Sequence, residues 1–445
     1  MDKKLARFDE VIMTFSATSL PPLAPEVIHQ GEKLSASSVV KKVLEHIRQD
    51  DSRCVQDQVE IASIESPRFG EANRREKIEA ILRRDGFTEI HTDSEGNLIA
   101  RYPGTDPNGP RLVISGHMDT VFPENTPTEV RQVGNRYYAP GIGDDAKGVA
   151  TCLQVMRTVK ALNLPLKGDL IFVGTVGEEA NGDLRGSKYF FKENADAVDG
   201  FISVDGITPG AITCGATGSR RYKIEFDGIG GHSYKMFGIA PSANHALCRA
   251  VAMFADIVPP VNPFTTFTVG TINGGTSINS IASHAEAQLD MRSNAEESLT
   301  ELENRIMPCF KEGARLENER YRAVGSEYEV KVKITQLGER PCGMQSDLSP
   351  TLQAARCALN LVGQPITSYR SASTDSNVPI SLGIPAVTIS AGGLGGQNHT
   401  VNEWYEHTDN AYEGPQAALL TVALLLGIDG INEPLLPVRH KTPRH

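Results

Sequence analysis

No apolar run in this chain reaches the roughly 18–20 residues needed to cross a bilayer, so no membrane-spanning segment is expected. It also lacks any C-x-x-C pair. Its seven cysteines are odd in number and scattered, which points to reduced thiols in a cytosolic protein rather than to a disulfide framework. Basic charge is in short supply: the formal net charge is −11, and phosphate binding needs clustered Lys and Arg, so nucleic acid is not an expected partner. Internal repeats and low-complexity segments are missing. What is present is an ordinary globular composition, 40% hydrophobic and 22% charged. The chain of 445 residues is long for one core and suits two domains.

The first 25 residues carry an early basic patch and a short apolar stretch interrupted by Asp9 and Glu10. They read as a poorly ordered extension rather than an export signal. Helical periodicity follows over 37–48 and 71–85. Strand-like and helix-like runs then alternate: LIARY, RLVISG, a helix over 148–162, DLIFVGTV, a helix around 187–194, and FISVDG. Apolar runs without polar alternation, joined by helices, predict a mainly parallel sheet covered on both faces.

Near Gly215 the pattern changes. RRYKIEFDG, TTFTVGTI, AEAQLDMRS and EYEVKVKIT alternate in strand fashion, with helices predicted at 242–257 and 295–315, the second kinked or broken near Pro308. That β-α-β-β-α-β order is the ferredoxin-like split unit. From about Pro341 the earlier pattern resumes, with a helix at 349–361, the strand PAVTIS and a helix at 414–426. The predicted fold class is α/β, a mainly parallel sheet flanked by helices, with an inserted ferredoxin-like α+β domain. The predicted boundaries are an extension at 1–35, a main domain at 36–214 and 339–434, the insertion at 215–338, and a tail at 435–445.

Four strand-like runs end in residues that bind divalent metal. RLVISGHMDT carries His117 and Asp119, GIGDDAKG carries Asp144 and Asp145, DLIFVGTVGEE carries Glu178 and Glu179, and FISVDG carries Asp205. A fifth segment, GGLGGQNHTVNE, follows PAVTIS and carries His399. Ligands of open α/β sheets collect beyond the carboxyl ends of the strands. Residues two apart on a strand share a face, which puts His117 beside Asp119. Each segment alone has an ordinary explanation: a structural histidine, a tight turn, a solvated loop or a turn cap. Their recurrence at equivalent strand ends argues instead for one site whose N and O donors suit zinc.

The segments SGHMDTVF, DDAKG, GEE, SVDG, GGHS, LDMRS, STDSN and NHTVNE, in that order from about residue 60 to 405, resemble the co-catalytic zinc exopeptidases and deacylases. That family includes peptidase T, carboxypeptidase G, acetylornithine deacetylase and succinyl-diaminopimelate desuccinylase. The resemblance implies a zinc exopeptidase-like main domain, two divalent metal ions per subunit (Zn2+, with Co2+ or Mn2+ as substitutes), and a lid that also forms a homodimer. It further implies that His117 and Asp205 bind one metal, that Glu179 and His399 bind the other, and that Asp145 bridges them. Asp144 receives no ligand role, and a non-proline cis bond is expected at Asp145–Ala146. Asp119 would orient His117, as partners of metal-bound histidines do. Glu178 would be the general base for a water that two metals bring toward a pKa of ~7.

In the insertion, His232 of GIGGHSY matches the family's oxyanion donor, which in dimeric members serves the partner subunit's site. Arg292 matches a carboxylate-binding arginine, with a sheet-edge ion pair as its ordinary explanation. Asn279 is a further expected substrate contact. Thr374 and Asp375 match the family's T-D pair, although SAS replaces the glycines of peptidase T there, so a strict tripeptidase is not implied. The expected activity is hydrolysis of an amide bond in a small peptide or N-acyl amino acid. A peptidase T-like exopeptidase, such as an aminopeptidase, is preferred to a deacylase of the acetylornithine type. A catalytically silent dimeric binding protein would have lost a ligand or Glu178, and every such position here holds a competent residue.

Overall fold

The strand Arg111–His117 is buried at every position, as its uninterrupted apolar run requires, and lies inside an eight-stranded sheet. The structure, a computed structural model, describes residues 20–439. Asp169–Thr175 and Gly200–Val204 flank this strand in parallel, and Ala386–Ile389 pairs in parallel with Gly200–Val204. Leu98–Tyr102 and Ile90–Thr92 extend one edge as antiparallel strands. Ala211–Ala216 joins the other side antiparallel to Ala386–Ile389, and Ser368–Ala372 then pairs with it in parallel. The sheet is therefore mixed but mainly parallel.

Successive side chains of the central strand enter different cores, as the two-residue strand period dictates. Leu112 and Ile114 pack with the helices Ala146–Ala161, Pro350–Val362 and Glu413–Leu426. Val113 packs with Phe190 and Phe191 of the helix Arg185–Asn194 and with Val378 and Ile380 of the short helix Asn377–Ser381.

The chain divides into two compact units, one formed by Thr217–Gly343 and the other running to Ala216 and resuming at Met344. The inserted unit has a four-stranded antiparallel sheet in the order Thr265–Gly274, His284–Ser293, Gly218–Asp227, Lys331–Arg340. Gly218–Asp227 and His284–Ser293 alternate between buried and less buried residues. Their inward set, including Ile224, Phe226, Leu289 and Met291, packs on the helices Ala243–Phe254 and Glu296–Arg320. These helices approach closely where a Cβ on Gly313 would lie 2.5 Å from the Ala246 carbonyl oxygen.

Several expectations need correction. Glu296–Arg320 is one continuous 25-residue helix that contains Pro308, so the predicted break is not present. Residues 25–36 do not belong to an extension: Pro25–Ala36 is a helix that buries Val27 and Leu34, and Gln30 accepts the Glu433 N–H at 3.0 Å. The expectation for residues 1–19 lies outside the described residues. The tail at 435–445 begins too early, because Leu436 is buried and the Leu435 N–H bonds the Leu424 carbonyl. The helix Asp51–Ala62 has no counterpart in the sequence reading, since buried Asp57 and Gln58 interrupt its apolar stripe. No helix among the described residues is long and apolar enough to cross a membrane.

Candidate metal centre

Parallel pairing aligns the carboxyl ends of three strands. His117 is in register with Thr175, three residues before Glu178, and Ser115 is in register with Ser203, two residues before Asp205. Two loops complete the cluster. Asp144 precedes the helix Ala146–Ala161, and His399 lies between the short paired strands Leu394–Gly396 and Trp404–Glu406.

Asp144 stands between the two imidazoles. Its Oδ1 is 2.9 Å from His117 Nε2, and its Oδ2 is 3.1 Å from His399 Nε2. His399 Nε2 is also 3.0 Å from Glu179 Oε1. Donor atoms fall into three groups, each within 4.8 Å: His117, Asp144 and Asp205; Asp144, Glu179 and His399; and His117, Glu178 and Glu179. The first two groups share Asp144.

The expectation that Asp145 faces both sites does not match this geometry. Asp145 is fully buried, and its carboxylate accepts the His117 N–H and the Gly148 N–H, each at 3.0 Å. It caps the first turn of Ala146–Ala161, where a carboxylate satisfies an otherwise unpaired backbone donor. That duty turns it away from the imidazoles and leaves Asp144 between them. The non-proline cis bond likewise lies at Asp144–Asp145, one residue before the expected place.

Asp119 has a second duty that the sequence reading did not include. Its two oxygens accept the N–H groups of Glu178 and Glu179, at 2.8 and 2.9 Å. The nearest partner of His117 Nδ1 is the Asp119 carbonyl oxygen at 3.0 Å, while the carboxylate lies 3.7 Å away. Asp119 thus holds the Glu178–Glu179 backbone against the end of the His117 strand.

The electrostatics are those of crowded acids. Burial, then nearby Asp144, pushes the Asp205 carboxyl up to about 7. Burial also opposes the charge on Asp144, but hydrogen bonds from His117 and His399 outweigh it and hold that carboxyl low. His399 is pushed up to about 10, first by its hydrogen bond to Asp144 and then by that to Glu179. Carboxylates held this close repel each other unless cations join them, so the donor set fits divalent metal.

Sequence reasoning missed several supporting residues. Glu403 is fully buried and accepts three backbone N–H groups from the loop before Asp145. It sits inside the quoted NHTVNE, so the signal was present. Gln58 donates to the Ile142 carbonyl at 2.8 Å from the unpredicted helix. Arg74 is buried and donates to the carbonyls of Met118 and Ile64. Burial lowers its pKa to about 10, against the opposing pull of Asp119, Asp145 and Glu403. Nothing in its charged surroundings, ANRREK, marked it.

The expected substrate contacts have mixed placements. Thr374 and Asp375 are buried: Thr374 Oγ1 pairs with Thr388 Oγ1, while Asp375 accepts from Thr175 at a strand end. They act as braces rather than presenting open surface. In the inserted unit, exposed His232 pairs with Ser280 across a short ladder, and the Asn279 carbonyl accepts the Ser233 N–H, so these two expected contacts are brought together. Arg292 pairs with Asp290 at 2.8 Å on an interior strand rather than at a sheet edge.

Residues 113–423 match the sequence model described as "Peptidase family M20/M25/M40". The uncharacterized protein YqjE of Bacillus subtilis is 24% identical over 331 residues, covering 72% of this chain and 83% of that protein. Carboxypeptidase G2 of a Pseudomonas species is 27% identical over 173 residues, covering 37% of this chain but only 40% of that enzyme. The aminopeptidase PepT of Bacillus cereus has a similar fold, with a TM-score of 0.67 at 21% identity over 84% of this chain and 98% of that one.

Proposed function

The chain belongs to peptidase family M20/M25/M40, and from that premise we propose that it hydrolyses a terminal amide bond of small peptides at a two-metal centre. The observation that carries this reading is the placement of Asp144 between two imidazoles, each with a further carboxylate of its own. His117 and Asp205 would hold one ion, Glu179 and His399 the other, and Asp144 both. Their N and O donors favour zinc, with cobalt or manganese as substitutes. Bound there, the ions would supply Lewis acidity toward water and toward the scissile carbonyl.

The chain's own groups would do the rest. Glu178, whose backbone is tied to Asp119, takes the proton of the attacking water and returns it to the leaving amine. His232 donates to the oxyanion, and Arg292 exchanges Asp290 for a substrate carboxylate, with Asn279 as an additional contact. Arg292 and Asn279 are proposed on the family resemblance, as is a homodimer through the inserted unit in which His232 serves the partner's centre. Mixing His232→Ala and Glu178→Gln subunits should then restore activity, and mixed dimers that stay inactive would sink the shared site.

The fold likeness to an aminopeptidase along most of the chain favours peptide substrates. A deacylase acting on N-acyl amino acids is the second reading, because it needs the same metal residues. A screen of metal-reconstituted protein against dipeptides, tripeptides and N-acetyl or N-succinyl amino acids, read as released amine, separates the two. Release only from the acylated amino acids would overturn the peptidase reading.

A further inference from the structure

Glu403 lies four residues after His399, fully buried, and its carboxylate is turned onto a different segment. Oε1 accepts the N–H groups of Gly143 at 2.8 Å and Asp144 at 2.9 Å, and Oε2 accepts that of Gly141 at 3.1 Å. The Glu403 carbonyl oxygen also accepts the Ala139 N–H at 3.2 Å. The approach requires a bare backbone: a Cβ on Gly143 would lie 2.7 Å from Ile207 Cδ1 and 3.3 Å from Glu403 Oε1. On the same loop, Gln58 holds the Ile142 carbonyl. The chain from 141 to 144 is thus gripped through its N–H groups by one residue and through a carbonyl by another.

We propose that Glu403 is a positioning residue that locks the Asp144 loop to the His399 segment, so that the shared carboxylate and one imidazole are set as a single piece. The inference rests on the two-metal reading above. Three hydrogen bonds from the peptide groups leading into Asp144 converge on the two oxygens of this one carboxyl group, and a carboxylate offers each of them an acceptor. A neutral amide cannot reproduce them. In Glu403→Gln the amide oxygen can serve Gly143 and Asp144, but the NH2 group then faces the Gly141 N–H, donor against donor.

The test compares the wild type, Glu403→Gln, Glu403→Asp and His117→Ala, each stripped of metal and titrated with cobalt(II). Binding is followed by metal content and by the visible cobalt spectrum, with melting of the metal-free proteins measured alongside. Glu403→Gln should bind cobalt about 10–100-fold more weakly and with an altered spectrum, the usual size of an effect behind a metal ligand. Its kcat should fall while KM holds, and Glu403→Asp, which keeps the charge, should recover part of the affinity. If Glu403→Gln lowers only the melting temperature and binds two cobalt ions with wild-type affinity and spectrum, Glu403 is a loop anchor and the proposal fails. His117→Ala losing cobalt while Glu403→Gln keeps it overturns this inference alone. His117→Ala binding cobalt as the wild type does overturns the metal centre, and this inference with it.

Discussion

The inserted unit and the ends of the parallel strands treat buried charge in opposite ways. In the inserted unit it is matched. Glu317 is fully buried but faces Arg249 at 2.9 Å and His245 at 3.3 Å, and Arg220 is surrounded by Glu296, Glu303 and Glu339. At the ends of the parallel strands, Asp119, Asp145, Glu178, Glu179 and Glu403 are buried together with Asp144 and Asp205 close by, against two imidazoles and Arg74. Matched charge holds a scaffold in place. A surplus of one sign, kept together by backbone donors and helix capping, is a site for ions of the other sign.

The largest expected effect challenges the acidic cluster directly. Glu178→Gln should lower kcat by ~10²–10⁴ while metal content stays near wild type, and full retained activity would remove Glu178 as the base. Next, Asp144→Asn and Asp145→Asn should separate. The first should weaken cobalt binding about 10-fold or more. The second should chiefly cost stability, about 1–3 kcal/mol, because its NH2 group must face either the His117 N–H or the Gly148 N–H, donor against donor. If Asp145→Asn loses the metal and Asp144→Asn keeps it, the bridging assignment returns to Asp145.

In the inserted unit, Arg249→Ala should destabilise by about 1–3 kcal/mol, because it strips a partner from a buried carboxylate. Denaturant melts would show this, and cobalt stoichiometry should not change. A change in stoichiometry would contradict a purely scaffolding role.

A further effect is a pH slope. The Asp205 carboxyl rises from 3.8 to about 7 on folding, so the folded state holds the proton more tightly than the unfolded chain. Its contribution is fully present below the ordinary carboxylate value and is lost as pH climbs through about 7. Metal-free wild type should therefore lose more stability than Asp205→Asn across that window. Zinc should reverse the trend, because binding needs the ionised carboxylate. Parallel slopes for the two metal-free proteins would contradict it.

Much of the architecture was legible. Unbroken apolar runs marked the parallel strands, and alternation marked the strands of the insertion, because burial on two faces and on one face select different patterns. The helix Asp51–Ala62 was hidden by its buried polar residues, and Pro25–Ala36 by the prolines just before it. Among site residues, His117, Glu179 and Asp205 lie at or just beyond the ends of parallel strands, and His399 reaches them from a loop. Asp144 and Asp145 were indistinguishable in a list of residues, since either of two adjacent acids could cap the helix.

The residue chemistry itself, five strand-end segments rich in imidazole and carboxylate, is written in the chain and already points to divalent metal. Which acid faces which partner depends on contacts between segments distant in sequence: Asp145 with the His117 N–H, Asp119 with Glu178 and Glu179, Glu403 with the loop at 141–144. A carboxylate has no fixed role until the backbone donors around it are in place. Here those donors come together only when the sheet, the capped helix and the His399 segment are packed against one another.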